Sequence, residues 1–321
     1  NEPNLDFWTG EPKQATYFEL YDAAARAIKG VASTIRVGGP ATAQAAWIPA
    51  FIQHCADHHV PLDFVSTHIY GDDPPRAVGA DHPVSMRDLV GLATRKVFRE
   101  VGSSPMPHLP IIFSEFNATS SNNPAITDSS FMGPWIADTI RECDGFTTVM
   151  SYWDFSDVFD EQGVVRKPFY GGYGLIAEGH IPKPSFNAFA MLHHLGTERL
   201  PAPAPWILAT RRSDGSLAIA VWHYAPPRAA GPDREYDIEM RGWKGADTAR
   251  VQILDAHHGS ALGAWNRMGS PAYPSQEQER ELQESAKLPA PTSVNLTNGT
   301  LKLFLPVHAL ALVQLSSGPG G

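Results

Sequence analysis

Up to about residue 200, two hydrophobic rhythms alternate along the chain. In one, apolar residues recur every three or four positions. Tyr17, Leu20, Tyr21, Ala24, Ala27 and Ile28 follow it and predict a helix over 14–29, with Gly30 as its stop. The same spacing predicts helices over 43–58, where Pro49 is a local break or restart, and over 85–100, 131–141 and 184–195. In the other rhythm, short continuous apolar runs predict strands over 34–39, 62–70, 111–113 (closed by Ser114-Glu115-Phe116-Asn117) and 146–153. Strands that alternate with helices imply a parallel sheet, and unbroken apolar strands suit a sheet covered on both faces. Polar and aromatic residues collect at the C-terminal strand ends: His68 with Tyr70, Glu115, and Trp153. That edge carries the ligands in a (β/α)8 barrel and in a doubly wound sheet alike, so the pattern leaves both open.

After Pro201-Ala-Pro-Ala-Pro205, a stiff linker by composition, the texture changes. Strands are predicted over 206–210, 216–224, 235–241, 249–255, 293–296, 300–305 and 309–315, with one polar helix over 275–286. Asp214-Gly215 and Asn298-Gly299 are two-residue hairpin signals. The expected organisation is an α/β domain over 1–200 and a small antiparallel β-sandwich over 201–321.

Composition narrows the function classes. The 321 residues are 43% apolar and 18% charged, enough for a sizeable core and incompatible with a disordered chain. A net charge of −9 argues against nucleic acid as a partner and leaves neutral or cationic partners open. No apolar run reaches the length of a membrane span. Cys55 and Cys143 read as small buried apolar residues, and no CxxC pair exists. The pairs His58-His59, His193-His194 and His257-His258 are neighbours that do not face one site, and no HExxH spacing exists, so no catalytic metal is expected. Asp72-Asp73, before two prolines, reads as a solvated turn, and Gly171-Gly172-Tyr173-Gly174 as a loop without the Lys-Ser/Thr of a phosphate site. Asn117-Ala-Thr119 is a formal glycosylation sequon, discounted because a glycan there would crowd the polar C-terminal strand end at Glu115.

Two glutamates stand out. Glu2 precedes a proline, which pushes it to the extended geometry of a strand end or turn, and Glu115 directly follows an apolar strand. Singly, each reads better as a solvated loop residue or ion-pair partner. Together, on two strand ends among aromatics, they suit glycoside hydrolysis, which needs a protonated and an ionised carboxyl flanking the scissile bond.

Asn1-Glu2-Pro3-Asn4 resembles the acid/base motif of retaining glycosidases with (β/α)8 barrels. Finer matches narrow the resemblance to glycoside hydrolase family 39, the β-xylosidases: Asn-Glu-Pro-Asn-Leu-Asp-Phe-Trp (1–8), Ser-Thr-His-Ile-Tyr (66–70), Ser-Glu-Phe-Asn (114–117), Ser-Tyr-Trp-Asp-Phe-Ser-Asp-Val-Phe-Asp-Glu (151–161) and Trp-Asn-Arg-Met-Gly-Ser-Pro (265–271). The resemblance runs over nearly the whole chain. It implies that Asn1 ends strand four of the barrel and Glu115 ends strand seven. The fold is then the C-terminal half of a (β/α)8 barrel followed by the β-sandwich. Strands one to four are expected before Asn1, on the order of 100–150 residues.

The same resemblance implies roles: Glu2 as general acid and then base, Glu115 as nucleophile, and Asn1 on the sugar 2-OH. His68 and Tyr70 would stand beside the nucleophile, Trp153 would floor the sugar ring, and Asp160 and Glu161 would bind distal hydroxyls. Asp160 stands where the family pattern has glutamate and Asp154 where it has threonine, which bears on sugar preference more than on mechanism. The implied activity is cofactor-free removal of terminal β-D-xylosyl residues from xylo-oligosaccharides or aryl xylosides by double displacement. An α-L-iduronidase-like enzyme and a non-catalytic carbohydrate-binding protein are the alternatives. Oligomeric state and compartment (cytoplasmic, periplasmic or secreted) are not encoded legibly.

Overall fold

The computed structural model describes residues 1–6, 8–159 and 163–317. Asp160 and Glu161 lie outside the described residues. The helices are α1 Lys13–Val31, α2 Ile48–Asp57, α3 Leu89–Gly102, α4 Pro124–Thr127, α5 Met132–Cys143, α6 Pro184–Leu192, α7 Leu262–Arg267 and α8 Gln276–Ser285. The strands are β1 Gly38–Thr42, β2 Phe64–Tyr70, β3 Ile111–Asn117, β4 Val149–Tyr152, β5 Ile176–Ala177, β6 Ile181–Pro182, β7 Glu198–Arg199, β8 Ile207–Arg211, β9 Leu217–Trp222, β10 Arg234–Glu239, β11 Thr248–Leu254, β12 Thr292–Asn295, β13 Thr300–Leu305 and β14 Leu310–Leu315. None of the described helices is long and apolar enough to cross a membrane.

The chain forms an α/β fold of two compact units. The first contains residues 1–120 and 142–153. Its sheet is wholly parallel, in the order β1-β2-β3-β4. β2 is buried along almost its whole length, as a central parallel strand should be. β4, at one margin of the described sheet, alternates exposed and half-buried residues. Helix α1 packs on α2 through Phe18, Tyr21, Ala25, Phe51 and the free thiol Cys55, with Tyr21 edge-on to Phe51 at 4.7 Å.

Among the described residues, β1 and β3 carry bulges. β1 begins at Gly38, later than the 34–39 that apolar Ile35 and Val37 suggest. Val37 instead donates to the Asp63 carboxylate and accepts from the Asp63 N–H, outside the ladder. The ladder then runs through Gly38-Gly39-Pro40, where pairing is backbone to backbone and a Cβ on Gly38 would collide with the Phe64 carbonyl and ring. Register slips between Pro40 and Thr42, so Ala41 is an extra residue, held at φ 53°. In β3 an extra residue stands between Phe113 and Phe116, since Thr67 and His68 of β2 face Phe113 and Glu115.

The second unit contains residues 121–141 and 154–321. A six-stranded antiparallel sheet, β12-β11-β14-β9-β8-β7, and the two-stranded ribbon β10-β13 share one core: Leu217, Ile219, Val221, Val251 and Val313 from the sheet, Tyr236, Ile238, Leu301, Leu303 and Leu305 from the ribbon. Asp214-Gly215 lies in the β8–β9 hairpin as expected, but in a three-residue loop rather than a two-residue turn: the Arg212 N–H donates to the Ser216 carbonyl, only Gly215 takes positive φ, and Asp214 accepts from the Ser216 N–H and hydroxyl. Asn298-Gly299 makes the tight turn it signals, both residues at positive φ, with Thr297 and Thr300 bonded to each other. Its flanking strands then diverge: β12 pairs with β11 and β13 with β10. The turn is local, whereas the strand partner is chosen by burial of Leu301, Leu303 and Leu305. The predicted polar helix is α8, whose Ser275 and Gln278 form a capping box.

The glycine-rich loop 171–174 is fastened inside this unit by a buried ion cluster. Lys183 Nζ lies 2.7 Å from Asp128 Oδ1 and 2.9 Å from Asp157 Oδ2, and donates to the Gly172 carbonyl at 2.8 Å. The Gly171 and Gly174 N–H groups donate to Asp128 and Asp157, both at 2.7 Å. Burial pushes both carboxyls up, Asp157 to about 6, against the opposing pull of Lys183.

Candidate active site

The site lies in the first unit, at the C-terminal ends of β1, β2 and β3. On β2, His68 and Tyr70 are two residues apart and so share one face. Across the ladder His68 stands opposite Glu115 and Tyr70 opposite Asn117. The extra residue in β3 re-aims the side chains beyond it: without that bulge, strict alternation would send Glu115 to the other side of the sheet.

Glu2 reaches the same place through the bulge in β1. Its N–H donates to the carbonyl of the extra residue, Ala41, at 2.9 Å, and its own φ is 42°. Asn4 clamps the loop with a reciprocal pair, Nδ2 donating to the Ala43 carbonyl at 3.1 Å and Oδ1 accepting the Ala43 N–H at 2.9 Å. Lys13 of α1 ties the far side, donating to the Leu5 carbonyl at 3.0 Å and to Asp6 at 2.8 Å.

His68 joins the two carboxylates. Its Nδ1 is 3.0 Å from Glu2 Oε1 and 3.4 Å from Glu115 Oε2. The Tyr70 hydroxyl donates to Glu115 Oε1 in a short hydrogen bond. His68 is 3% and Glu115 7% exposed, so these polar groups meet out of bulk water. One donor atom each from Glu2, His68 and Glu115 lies within 4.8 Å of the others. Among the described residues this is the trio whose donors could also close on a metal ion. Two carboxylates so close, bridged by one imidazole and braced by a phenol, can share and move a proton and present a second oxygen to a bound electrophile.

The structure thus gathers four of the sequence-derived residues, Glu2, His68, Tyr70 and Glu115. Asn1 is exposed next to Glu2. Trp153 is half-buried just past β4, its N–H donating to the Phe116 carbonyl at 3.1 Å and its carbonyl accepting from Asn117 Nδ2 at 2.5 Å. Asp160 and Glu161 have no described position.

The reading of Asp72-Asp73 as a solvated turn holds for Asp72, which is exposed, and is corrected for Asp73. Asp72 Oδ2 accepts from the Thr119 hydroxyl at 2.5 Å and Oδ1 from the Ser120 N–H at 2.8 Å. Asp73 is partly buried and accepts the Tyr70 N–H at 2.8 Å. Burial first, then the negative charges of Asp72 and Glu2, push its carboxyl up to about 6, opposed by the Tyr70 N–H and Arg76. Two acidic residues before two prolines are typical of exposed turns, so nothing in the local sequence reveals these partners, which come from β2 and the loop after β3.

Paired carboxylates at the carboxyl ends of parallel strands, in a buried polar cluster, place the candidate site on the edge of an α/β sheet where ligands are bound. Comparison with known proteins gives the family. The family model Glycosyl hydrolases family 39 matches residues 1–300, and the chain belongs to that family. It is 34% identical over 325 aligned positions to a protein named β-xylosidase from Geobacillus stearothermophilus, covering 98% of this chain and 64% of that relative. A β-xylosidase from Caldicellulosiruptor saccharolyticus is 31% identical, with 99% and 67% covered. A solved family 39 β-xylosidase structure from Caulobacter crescentus superposes with a TM-score of 0.83 at 32% identity, covering 98% of this chain and 65% of that one. The chain therefore spans about two thirds of the length of the relatives it matches.

Proposed function

We propose that this chain carries the catalytic carboxylates of a retaining exo-β-xylosidase. The observation that supports this most is that Glu2 and Glu115 present oxygens within 4.8 Å of each other, through a shared His68. Retaining enzymes hold their carboxyls about 5–5.5 Å apart, whereas inverting ones leave about 6.5–9.5 Å for a water molecule. In this reading Glu115 attacks the anomeric carbon while Glu2 gives its proton to the departing oxygen. Glu2 then takes a proton from the water that releases xylose from Glu115. The Tyr70 hydroxyl and the His68 N–H hold the carboxylates in register for both steps. The chemistry requires no cofactor.

The finer assignments belong to the same proposal. Asn1 would meet the sugar 2-OH, Trp153 would lie under the ring, and Asp160 and Glu161 would select for distal hydroxyls of a xylo-oligosaccharide. The four parallel strands would be strands five to eight of a (β/α)8 barrel, supported by their unbroken order β1-β2-β3-β4. The sheet and ribbon that share a core would be the accessory β-sandwich, with the domain boundary near residue 200.

The test is release of p-nitrophenol from p-nitrophenyl β-xyloside and of xylose from xylobiose by the natural full-length protein, with the anomeric product followed by NMR. First-formed β-xylose supports the proposal. First-formed α-xylose, or no hydrolysis, ends it.

A further inference from the structure

Tyr70 and Glu115 stand near the ends of two neighbouring strands, and β2 runs on into an acidic turn, Asp72-Asp73. Successive N–H groups of a strand point to opposite flanks. That of Gly71 donates to the Asn117 carbonyl on the β3 flank at 2.9 Å. That of Tyr70 therefore faces the β1 flank, where the ladder has already ended at Thr42 opposite Thr67. Asp73 Oδ2 takes the place of the absent strand and accepts this N–H. Asp72, one residue earlier, reaches the other way, to Thr119 and Ser120 beyond β3. Gly71 keeps the two strand ends close, since a Cβ there would come within 2.7 Å of the Ala118 carbonyl.

We propose that Asp72 and Asp73 are positioning residues, each carboxylate tying the same turn to one of the strand ends that carry Tyr70 and Glu115, so that together they set the Tyr70–Glu115 hydrogen bond. This rests on the reading of Glu115 as the nucleophile. Neither aspartate touches the reacting atoms. A bond of about 2.8 Å to an ionised carboxylate is stronger than one to a neutral acceptor, so the brace on Tyr70 depends on Asp73 being charged. The charged groups that face Asp73 are Asp72 on its own turn, Arg76 on the short helical turn after it, and Glu2 from the N-terminal loop, with the Tyr70 N–H from β2. Burial raises its carboxyl to about 6, and protonation there weakens the brace.

The proposal is tested on the natural full-length protein and its Asp73→Asn and Asp73→Ala variants by two independent measurements. In the wild type, the Tyr70 backbone amide shift should move with a midpoint near pH 6, and in Asp73→Asn this step should vanish. With xylobiose, Asp73→Ala should lower kcat by on the order of tenfold with little change in KM, because a misplaced Tyr70 harms the reaction more than binding. Asp73→Asn, which keeps an acceptor oxygen, should recover part of that loss but lose the wild-type step in kcat near pH 6. A Tyr70 amide insensitive to pH in the wild type, or an Asp73→Ala enzyme with unaltered kcat, overturns the inference. If the wild type hydrolyses no glycoside, the proposed function fails, and the amide titration alone still decides the brace.

Discussion

One imidazole, His68, stands between the two carboxylates, so each residue of the site has a separable consequence. Glu115→Ala should abolish turnover of every substrate. Glu2→Ala should lose on the order of 10²–10⁴-fold with xylobiose, whose leaving group needs a proton, and far less with p-nitrophenyl β-xyloside. Equal losses on the two substrates would reverse or refute the assignment of acid and nucleophile. Asp73 links the site to stability. Its folded pKa of about 6 lies above the ordinary carboxylate value of 3.8, so between these values the folded state binds more protons than the unfolded one. Its contribution to stability is therefore greatest below about pH 4 and is lost as pH rises through about 6. Urea midpoints of wild type and Asp73→Asn, compared from pH 4 to 7, should diverge in that direction, the wild type losing ground relative to the variant as pH rises. Glu2 and Glu115 are legible as residues because carboxylate pairs at strand ends carry a chemical meaning. The role of Asp73 is not, because it lies in a hydrogen bond to a backbone N–H.

At the scale of elements, the bulges decide where the carboxylates go. Deleting Ser114 removes the extra residue of β3 and leaves Glu115 directly after Phe113, where regular alternation already puts it opposite His68. Activity well above the Glu115→Ala level with an unchanged far-UV circular dichroism spectrum is the expected result. Activity at the Glu115→Ala level would mean that pairing opposite His68 is not what aims this carboxylate. In the second unit, Lys183→Met leaves two buried aspartates without their cation. Breaking such a cluster costs about 3–5 kcal/mol, and a loss of unfolding free energy of that size in chemical denaturation is the measurement. Helices α1, α3, α5 and α6 and strands β2, β3 and β8 to β14 follow the hydrophobic rhythm closely. The rhythm misses α4, α7 and the β5–β6 hairpin because they are too short to show a period, and it shifts β1 because glycine and proline carry no apolar signal.

Over the whole molecule, the chain passes twice from the first compact unit to the second, since residues 121–141 interrupt the first. β4, at 149–152, is therefore needed to flank β3. A fragment ending at residue 120 should be less soluble and less protected in hydrogen exchange at β3 than one ending at residue 153, and equal protection would show that β4 adds nothing to that sheet. The sequence by itself determined the α/β class, the change to antiparallel strands after the proline-rich segment, and the identity of both glutamates with His68 and Tyr70. Those properties rest on local periodicity and on residue chemistry, which are written along the chain. Only the tertiary structure decided that Ala41 and the β3 bulge turn Glu2 and Glu115 toward one imidazole. It also decided that strands on either side of Asn298-Gly299 part company, that Asp73 accepts the Tyr70 N–H, and that Lys183 joins two buried aspartates. Apart from the Asp73 bond, these depend on partners far apart in sequence, whose pairing is set by burial and by satisfaction of backbone groups, and no local pattern records it.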